Sequence, residues 1–293
     1  MTEMDIVPQL FANSIVAGAT YALIALGFNL IYGTTKFFNL AHGAVAAYGA
    51  YAAYFLMNSS LVGAGPLTAS VAVIAVAGLV GLASDSLIYA PLRGRKASPM
   101  VLMVASLGAF SVLQAVLAIL FTSQFQSLSG GELLSGSYAG WGAIVTRTQA
   151  VIIASSVALL AGLALMMKKT MFGKAVAAIQ DDEEVSRMVG IDTGHVIRIV
   201  SFIGSAIAGV AGILIGFDTG IEPTMGMSLL LKGTIASIVG GVGSLYGGFL
   251  GAFFLGFAEN FGIWKVSGEW KDAIAFGVLI VFLLIRPQGI IKR

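Results

Sequence analysis

No cysteine occurs among the 293 residues, which excludes disulfides, thiolate metal sites and a cysteine nucleophile. Charge is scarce too. Asp, Glu, Lys and Arg together make up 10% of the chain, against about 25% in soluble domains. Histidine occurs only at His42 and His195, too far apart in the chain to suggest a metal site. No GxxxxGK[ST] loop is present to cradle phosphate. Nor is there an HxxxH pair, a Ser/His/Asp set or a pair of carboxylates flanking a cleft. The sequence is therefore read as non-enzymatic, with no catalytic residue, cofactor or metal expected. A net charge of +2 gives no reason to expect a nucleic-acid partner. The opening MTEMDIVPQL carries no basic residue before the first apolar run. That is unlike a cleavable signal peptide, so the first apolar segment is expected to be retained.

What is present is hydrophobic: 58% of residues are apolar and mean hydropathy is +0.95. The chain reads as an all-α polytopic membrane protein forming one permease-type domain over residues 1–293. Its 38 glycines suit helices that pack backbone to backbone in lipid. With about 20 apolar residues per span, eight or nine segments are expected. They run at Pro8–Tyr32, Phe38–Met57, Leu67–Ala90, Met100–Phe121, Thr148–Met167, Val196–Phe217, Ser228–Gly241, Ser244–Gly262 and Asp272–Ile285. The seventh is short and holds Lys232, so a half-helix or re-entrant segment is an alternative there. Placing the N-terminus outside puts twelve of the sixteen Lys and Arg in inside loops, the bias that orients membrane proteins. The C-terminus is then cytoplasmic. The external loop 122–146 is rich in Gly and Ser with Glu132 its one charge, and Asp218 and Glu222 make the next external loop acidic. Either a soluble extracytoplasmic partner docks there or these are solvated connectors.

Ten of the thirty Asp, Glu, Lys and Arg residues fall in Lys168–Arg198. Within this cytosolic insert Val176, Ile179, Val185, Met188 and Val189 recur at helical spacing, which predicts one amphipathic helix over Gly173–Gly190. Gly190 is expected to end it, and Asp192 or Thr193 to cap the next. A short helix with one apolar side at the membrane surface suits docking of a cytosolic partner.

Two irregular stretches interrupt the apolar segments. Asn39-Leu40-Ala41-His42-Gly43 opens a smooth Gly/Ala helix that Asn39 is placed to cap. Broken helices often line transport sites; the alternative is a tight helix start with His42 satisfied in the core. Gly240–Gly248 (GGVGSLYGG) reads as a membrane turn with close helix approach. Ser244–Phe253 aligns loosely with Asn39–Tyr48, a pattern of duplicated halves or of chance in a Gly/Ala-rich chain. Lys232, Glu259 and Asn260 lie in or near apolar segments, where charges usually face a cavity or a partner. For Glu259, snorkelling to the interface is the bland alternative.

These residues resemble a known family. Gly18–Tyr51 (GATYALIALGFNLIYGTTKFFNLAHGAVAAYGAY) is similar to the N-terminal signature of branched-chain amino-acid ABC-transporter permeases, in which LIYG leads into an (I/F)N(F/L)AHG segment. Phe172–Leu214, Lys232–Asn260 and the terminal RPQGI (Arg286–Ile290) continue the match in order, over more than a third of the chain. The resemblance implies a prokaryotic inner-membrane permease subunit of an ATP-driven importer for branched-chain or related hydrophobic amino acids. Its partners would be a second permease (a homologous heterodimer, with a homodimer as the alternative), two cytosolic ATP-binding-cassette subunits, an extracytoplasmic substrate-binding protein and membrane lipid. The coupling role transfers to Gly173, Asp181, Glu184, Arg187, Gly190 and Ile191, and the translocation path to Asn39, His42, Gly43, Lys232 and Glu259. Ala44 departs from the Glu that many members carry after AHG, so inferences drawn from that acid do not carry over. The competing readings are the same machine carrying urea, short amides or other amino acids, a stand-alone secondary transporter or channel, and a scaffold. A secondary transporter predicts more ionisable residues inside the spans, and a scaffold predicts no polar breaks.

Overall fold

The computed structural model describes residues 3–58, 66–128, 134–264 and 266–291. Glu132, Lys265, Lys292 and Arg293, which entered the charge reading, lie outside them. Helices account for most of the described chain. They are α1 (Glu3–Thr35), α2 (Ala41–Asn58), α3 (Pro66–Ser84), α4 (Ala90–Gly94), α5 (Pro99–Phe121), α6 (Arg147–Lys169), α7 (Met171–Asp181) and α8 (Glu183–Met188). After them come α9 (Thr193–Thr219), α10 (Met225–Gly240), α11 (Leu245–Gly262) and α12 (Lys271–Ile285). A π-helical turn, Asp85–Tyr89, joins α3 to α4. Among the described residues the departures from all-α are an isolated bridge between Gln126 and Ile221 and a two-stranded hairpin, β1 (Ser137–Gly140) and β2 (Ala143–Thr146), in the loop expected to be external. Its two-residue turn has positive φ at both Trp141 and Gly142, the backbone that fits the natural twist of a hairpin.

Helix starts follow local chemistry. Ser98 accepts from the Val101 N–H, with Pro99 in the first turn, where its missing N–H costs nothing. Thr146 and Gln149 form a reciprocal capping box at the start of α6.

Among the described residues, five helical stretches are long and apolar enough to cross a membrane: Ile6–Thr35, Thr68–Gly94, Pro99–Phe121, Arg147–Lys169 and Thr193–Thr219. The α10–α11 pair, bent by 113°, makes a sixth if counted as one span. The other segments expected from sequence fall short on their own for physical reasons. α2 has 18 residues, but its Tyr, Gly and His dilute the apolarity. α10 and α12 have 16 and 15 residues, below the roughly 20 that a span requires.

Burial sorts the long helices. The apolar windows of α1 and α9 are 83% and 78% buried, whereas those of α5 and α6 are 22% and 17% buried. α1 and α9 are thus central, and α5 and α6 face outward. Between them α2 is almost wholly enclosed, with Tyr51, Ala46, Ala47 and Ala50 at 0% exposure. Such close packing requires small residues. A Cβ at Gly43 would strike the Gly226 carbonyl, and one at Gly226 would meet the Gly43 carbonyl carbon at 2.7 Å. The α2–α10 crossing is therefore backbone on backbone. Gly226→Val should cost about 1–3 kcal/mol by overpacking, read as a lower unfolding temperature in detergent; a wild-type melting profile would show that the crossing yields without strain.

The two ends of α1 anchor different material. At its start Gln9 brackets the hairpin, donating to the Ile144 carbonyl (3.1 Å) and accepting from the Ile144 N–H (2.8 Å). At its far end Lys36 donates to the Gln180 carbonyl of α7 at 2.6 Å. Hairpin and charged insert thus sit toward opposite ends of a 33-residue helix, their anchors Gln9 and Lys36 about 40 Å apart at 1.5 Å per residue.

Candidate functional site

The α10–α11 break is built by three distant segments. Gly241 and Gly243 both have positive φ, +114° and +83°, in the left-handed region open to glycine. Asn29, buried in α1, accepts from the Gly243 N–H at 2.8 Å. The C-terminal segment then closes the end of α10: the Ile290 and Ile291 N–H groups donate to the Val239 and Gly240 carbonyls at 2.9 and 3.0 Å. Those carbonyls would otherwise be orphaned at the helix end. Asn29 was not singled out from sequence. Its signal was a lone amide between Phe28 and Leu30, inside an apolar run.

Lys232 and Glu259 are brought together. Glu259 is fully buried; its Oε1 lies 2.9 Å from Lys232 Nζ, its Oε2 accepts the Tyr21 hydroxyl at 2.5 Å, and Lys271 Nζ is 3.8 Å away. Lys232 also pairs with Asp272 at 2.9 Å. The snorkelling alternative for Glu259 is overturned, because the α11 end carrying it packs against α1 rather than facing an interface. Tyr21, on α1, and Lys271 and Asp272, at the start of α12, complete the network and went unremarked in the sequence, since they lie on helices other than those of Lys232 and Glu259. Asn260, next to Glu259, turns its amide back to the Gly256 carbonyl at 2.8 Å. Two cavities flank Lys232. One of about 370 Å³ reaches Glu222 and Phe276; the other, of about 400 Å³, reaches Asn13, Gln149 and Asp218.

Asn39, His42 and Gly43 occupy the break between α1 and α2. Asn39 does not cap α2 as expected: its Oδ1 accepts the Tyr89 hydroxyl at 3.0 Å, tying the break to the π-helical turn. His42 is 1% exposed and lies 6.4 Å from the Phe28 ring. Gly43 is spent on the α10 crossing.

The insert departs from the single helix expected. Asp182, at φ −154°, breaks it into α7 and α8, and its Oδ1 accepts from the Glu184 and Val185 N–H groups at 2.8 and 3.0 Å. The break rotates the apolar stripe. Val176 and Ile179 face inward at 0% exposure, beside Leu26, Leu30, Val196 and Val200. Val185, Met188 and Val189 instead stand 50%, 78% and 71% exposed. Asp181 and Glu184 are exposed. Arg187 pairs with Glu183 at 2.7 Å and not with Glu184. Gly173 lies where a Cβ would strike the backbone of Met166 and Met167. Gly190, at φ +91°, ends α8, and Asp192 caps α9 by accepting from the His195 N–H. Ile191, half-buried, packs on the cluster of Val176 and Ile179. Asp182→Ala should cost about 1 kcal/mol of local α8 stability, seen as faster hydrogen exchange at Glu184 and Val185. Unchanged exchange there would mean that the cap is idle.

One buried charge escaped the sequence reading. Asp85, in the π-helical turn within a predicted span, is 1% exposed and pairs with Arg93 at 2.8 Å. At the same end, a cavity of about 730 Å³ is lined by Arg93, Glu184, Arg187 and Arg198 among others. It joins the π-turn region to the insert.

Residues 10–283 match the family described as "Branched-chain amino acid transport system / permease component". The chain is 32% identical over 295 residues, 97% of its length and 95% of the relative's, to the high-affinity branched-chain amino acid transport system permease protein BraD of Pseudomonas aeruginosa. It is 33% identical over 300 residues to the permease protein LivH of the corresponding system in Salmonella typhimurium, and 32% identical over 296 residues to LivH of Escherichia coli K12. For both, the same 97% and 95% of the two chains are covered.

Proposed function

The chain belongs to the family of branched-chain amino acid transport permeases, and from that premise we propose how it works as the permease subunit of an ATP-driven importer. The observation that carries this is the match over 97% of the chain to a permease protein of a high-affinity branched-chain amino acid transport system. The protein is a multi-pass inner-membrane transport subunit. Residues 1–293 form a single permease domain in which α2, α10, α11 and α12 complete the crossing set begun by the five long helices. This gives eight or nine segments, some broken or re-entrant. The N-terminus and hairpin lie outside; the Lys36, Arg93 and Lys168–Arg198 end lies in the cytosol, by the excess of Lys and Arg there.

In this reading α7 and α8 form the coupling element that two ATP-binding-cassette subunits grip. The exposed Val185, Met188 and Val189 supply apolar contact; Asp181, Glu184 and Arg187 supply polar contact. Three features support it: the apolar triplet stands in a charged surface, Lys36 ties α7 to α1, and Val176 and Ile179 key α7 into the α1–α9 core. Closure of the cassettes pushes α7, and α1 carries the displacement to Tyr21, midway along it, and so to the Glu259 network. Rigid elements rocking between two packings are how such transporters alternate access. A substrate-binding protein delivers the amino acid at the outer face, and a homologous second permease completes the path. His42, Asn39 and Gly43 line the hinge between α1 and α2 in this scheme.

Purification from native membranes in mild detergent tests the assembly, and ATP-driven uptake of leucine, isoleucine and valine in proteoliposomes tests the cargo. Two cassette subunits with a second permease, and uptake that requires ATP, are expected. Isolation of the chain alone, with uptake indifferent to ATP, would refute the reading.

A further inference from the structure

The cavity of about 400 Å³ beside Lys232 falls within the range of small-molecule sites, roughly 300–1,000 Å³, and its lining has a particular chemistry. Lys232 and Lys271 present two ammonium groups to it, Asp218 presents a carboxylate, and Val16, Ile215 and Leu229 form apolar wall. All of these sit at the hairpin end of the fold: the first half of α1, the last turns of α9, the first half of α10 and the start of α12. The two lysines are held unequally. Lys232 is fixed from one side by the fully buried Glu259, but its other partner, Asp272, is 71% exposed at the side chain. Lys271 stands 3.8 Å from Glu259, beyond hydrogen-bonding distance. Asp272 lines the other cavity flanking Lys232, so a carboxylate entering this one meets Lys232 without competing with Asp272, while Glu259 keeps Lys232 aimed.

We propose that this cavity binds a zwitterionic aliphatic amino acid. Its carboxylate lies on Lys232 and Lys271, its ammonium toward Asp218, and its side chain against Val16, Ile215 and Leu229. The inference rests on the amino-acid permease reading and adds the recognition site. A neutral amide has no use for paired cations opposite a carboxylate, and a bare amine or acid satisfies only one end.

The chain holds no cysteine, so a single introduced thiol, read on this chain's own band after separation from its partners, reports without background. Thr219→Cys, exposed at the cavity wall, is labelled with a small charged methanethiosulfonate. The full chain is used with its co-purified subunits, without binding protein or nucleotide. Tyr138→Cys on the hairpin serves as the distant control, and Ser228→Cys as a second reporter should Thr219→Cys fold poorly. Leucine at roughly ten times its Kd should slow labelling about tenfold, as simple occupancy requires. 3-Methylbutylamine, 4-methylpentanoate and glycine should not, and Tyr138→Cys should be indifferent to all four. Failure of leucine to protect, or equal protection by the amine or the acid, overturns the site. The same preparation is assayed for ATP-driven leucine uptake. Uptake without protection sinks the cavity and leaves the permease reading standing. Protection by leucine without leucine uptake upholds the cavity and sinks the assigned cargo.

Discussion

Glu259→Ala should destabilise the folded protein by about 3–5 kcal/mol, the cost of breaking a buried ion pair by removing one partner. The carboxylate is fully buried and accepts from Tyr21 and Lys232 with Lys271 close by. Its loss leaves Tyr21 without an acceptor and two ammonium groups sharing one exposed aspartate. Glu259→Gln keeps an acceptor for Tyr21 but not the charge, and should fall between. Pairing Lys232→Met with Glu259→Leu should recover much of the loss, since well-packed apolar replacements of buried pairs are often neutral. Thermal unfolding in detergent, followed by size-exclusion chromatography, reads all three. A Glu259→Ala protein within about 0.5 kcal/mol of wild type, the range of ordinary surface substitutions, would mean that the network carries no stability.

Met188→Asp should separate assembly from folding. Its side chain is 78% exposed and packs on no core, so the fold should survive unchanged. If α8 is gripped by a cassette subunit, a charge at the centre of its apolar triplet should cost ~2 kcal/mol or more of docking free energy, the scale of a central interface residue. Co-purified cassette subunit should then drop sharply, along with ATP-driven uptake, while the chromatographic profile of the permease stays monodisperse. Val185→Asp should do the same more weakly, because it is half exposed. Normal recovery of cassette subunits with both variants would place the docking surface elsewhere, with the cavity lined by Arg93 and Glu184 the next region to probe.

Much of the helix framework was legible in the sequence, because long apolar runs in a chain so poor in charge have few alternatives. The five long spans appear close to where hydropathy put them. The misses have a common cause: local pattern is blind to what lies opposite. Val185, Met188 and Val189 share a helical period with Val176 and Ile179, and nothing local says that Asp182 will cap a new helix and turn them outward. Asn39 had the chemistry of an N-cap, but Tyr89 of the π-helical turn claims its side-chain oxygen. Lys232 and Glu259 were visible as costly charges in apolar segments. That they meet each other, with Tyr21, Lys271 and Asp272 around them, depends on four helices converging. Asp85 was hidden by its neighbours, an acid within an otherwise apolar stretch whose partner Arg93 lies two turns on. Gly43 was read as smoothness, and only the crossing with Gly226 shows why no larger residue fits.

The bonds from Ile290 and Ile291 to the last carbonyls of α10 have a consequence for biogenesis. Chains fold from the N-terminus as they are made, yet α10 cannot finish its C-terminal end until Ile290 and Ile291 have emerged from the ribosome. The α10–α11 break held by Asn29 therefore stays open at its base until then. It locks late, so a chain truncated before Gly289 should insert normally and still fail to mature.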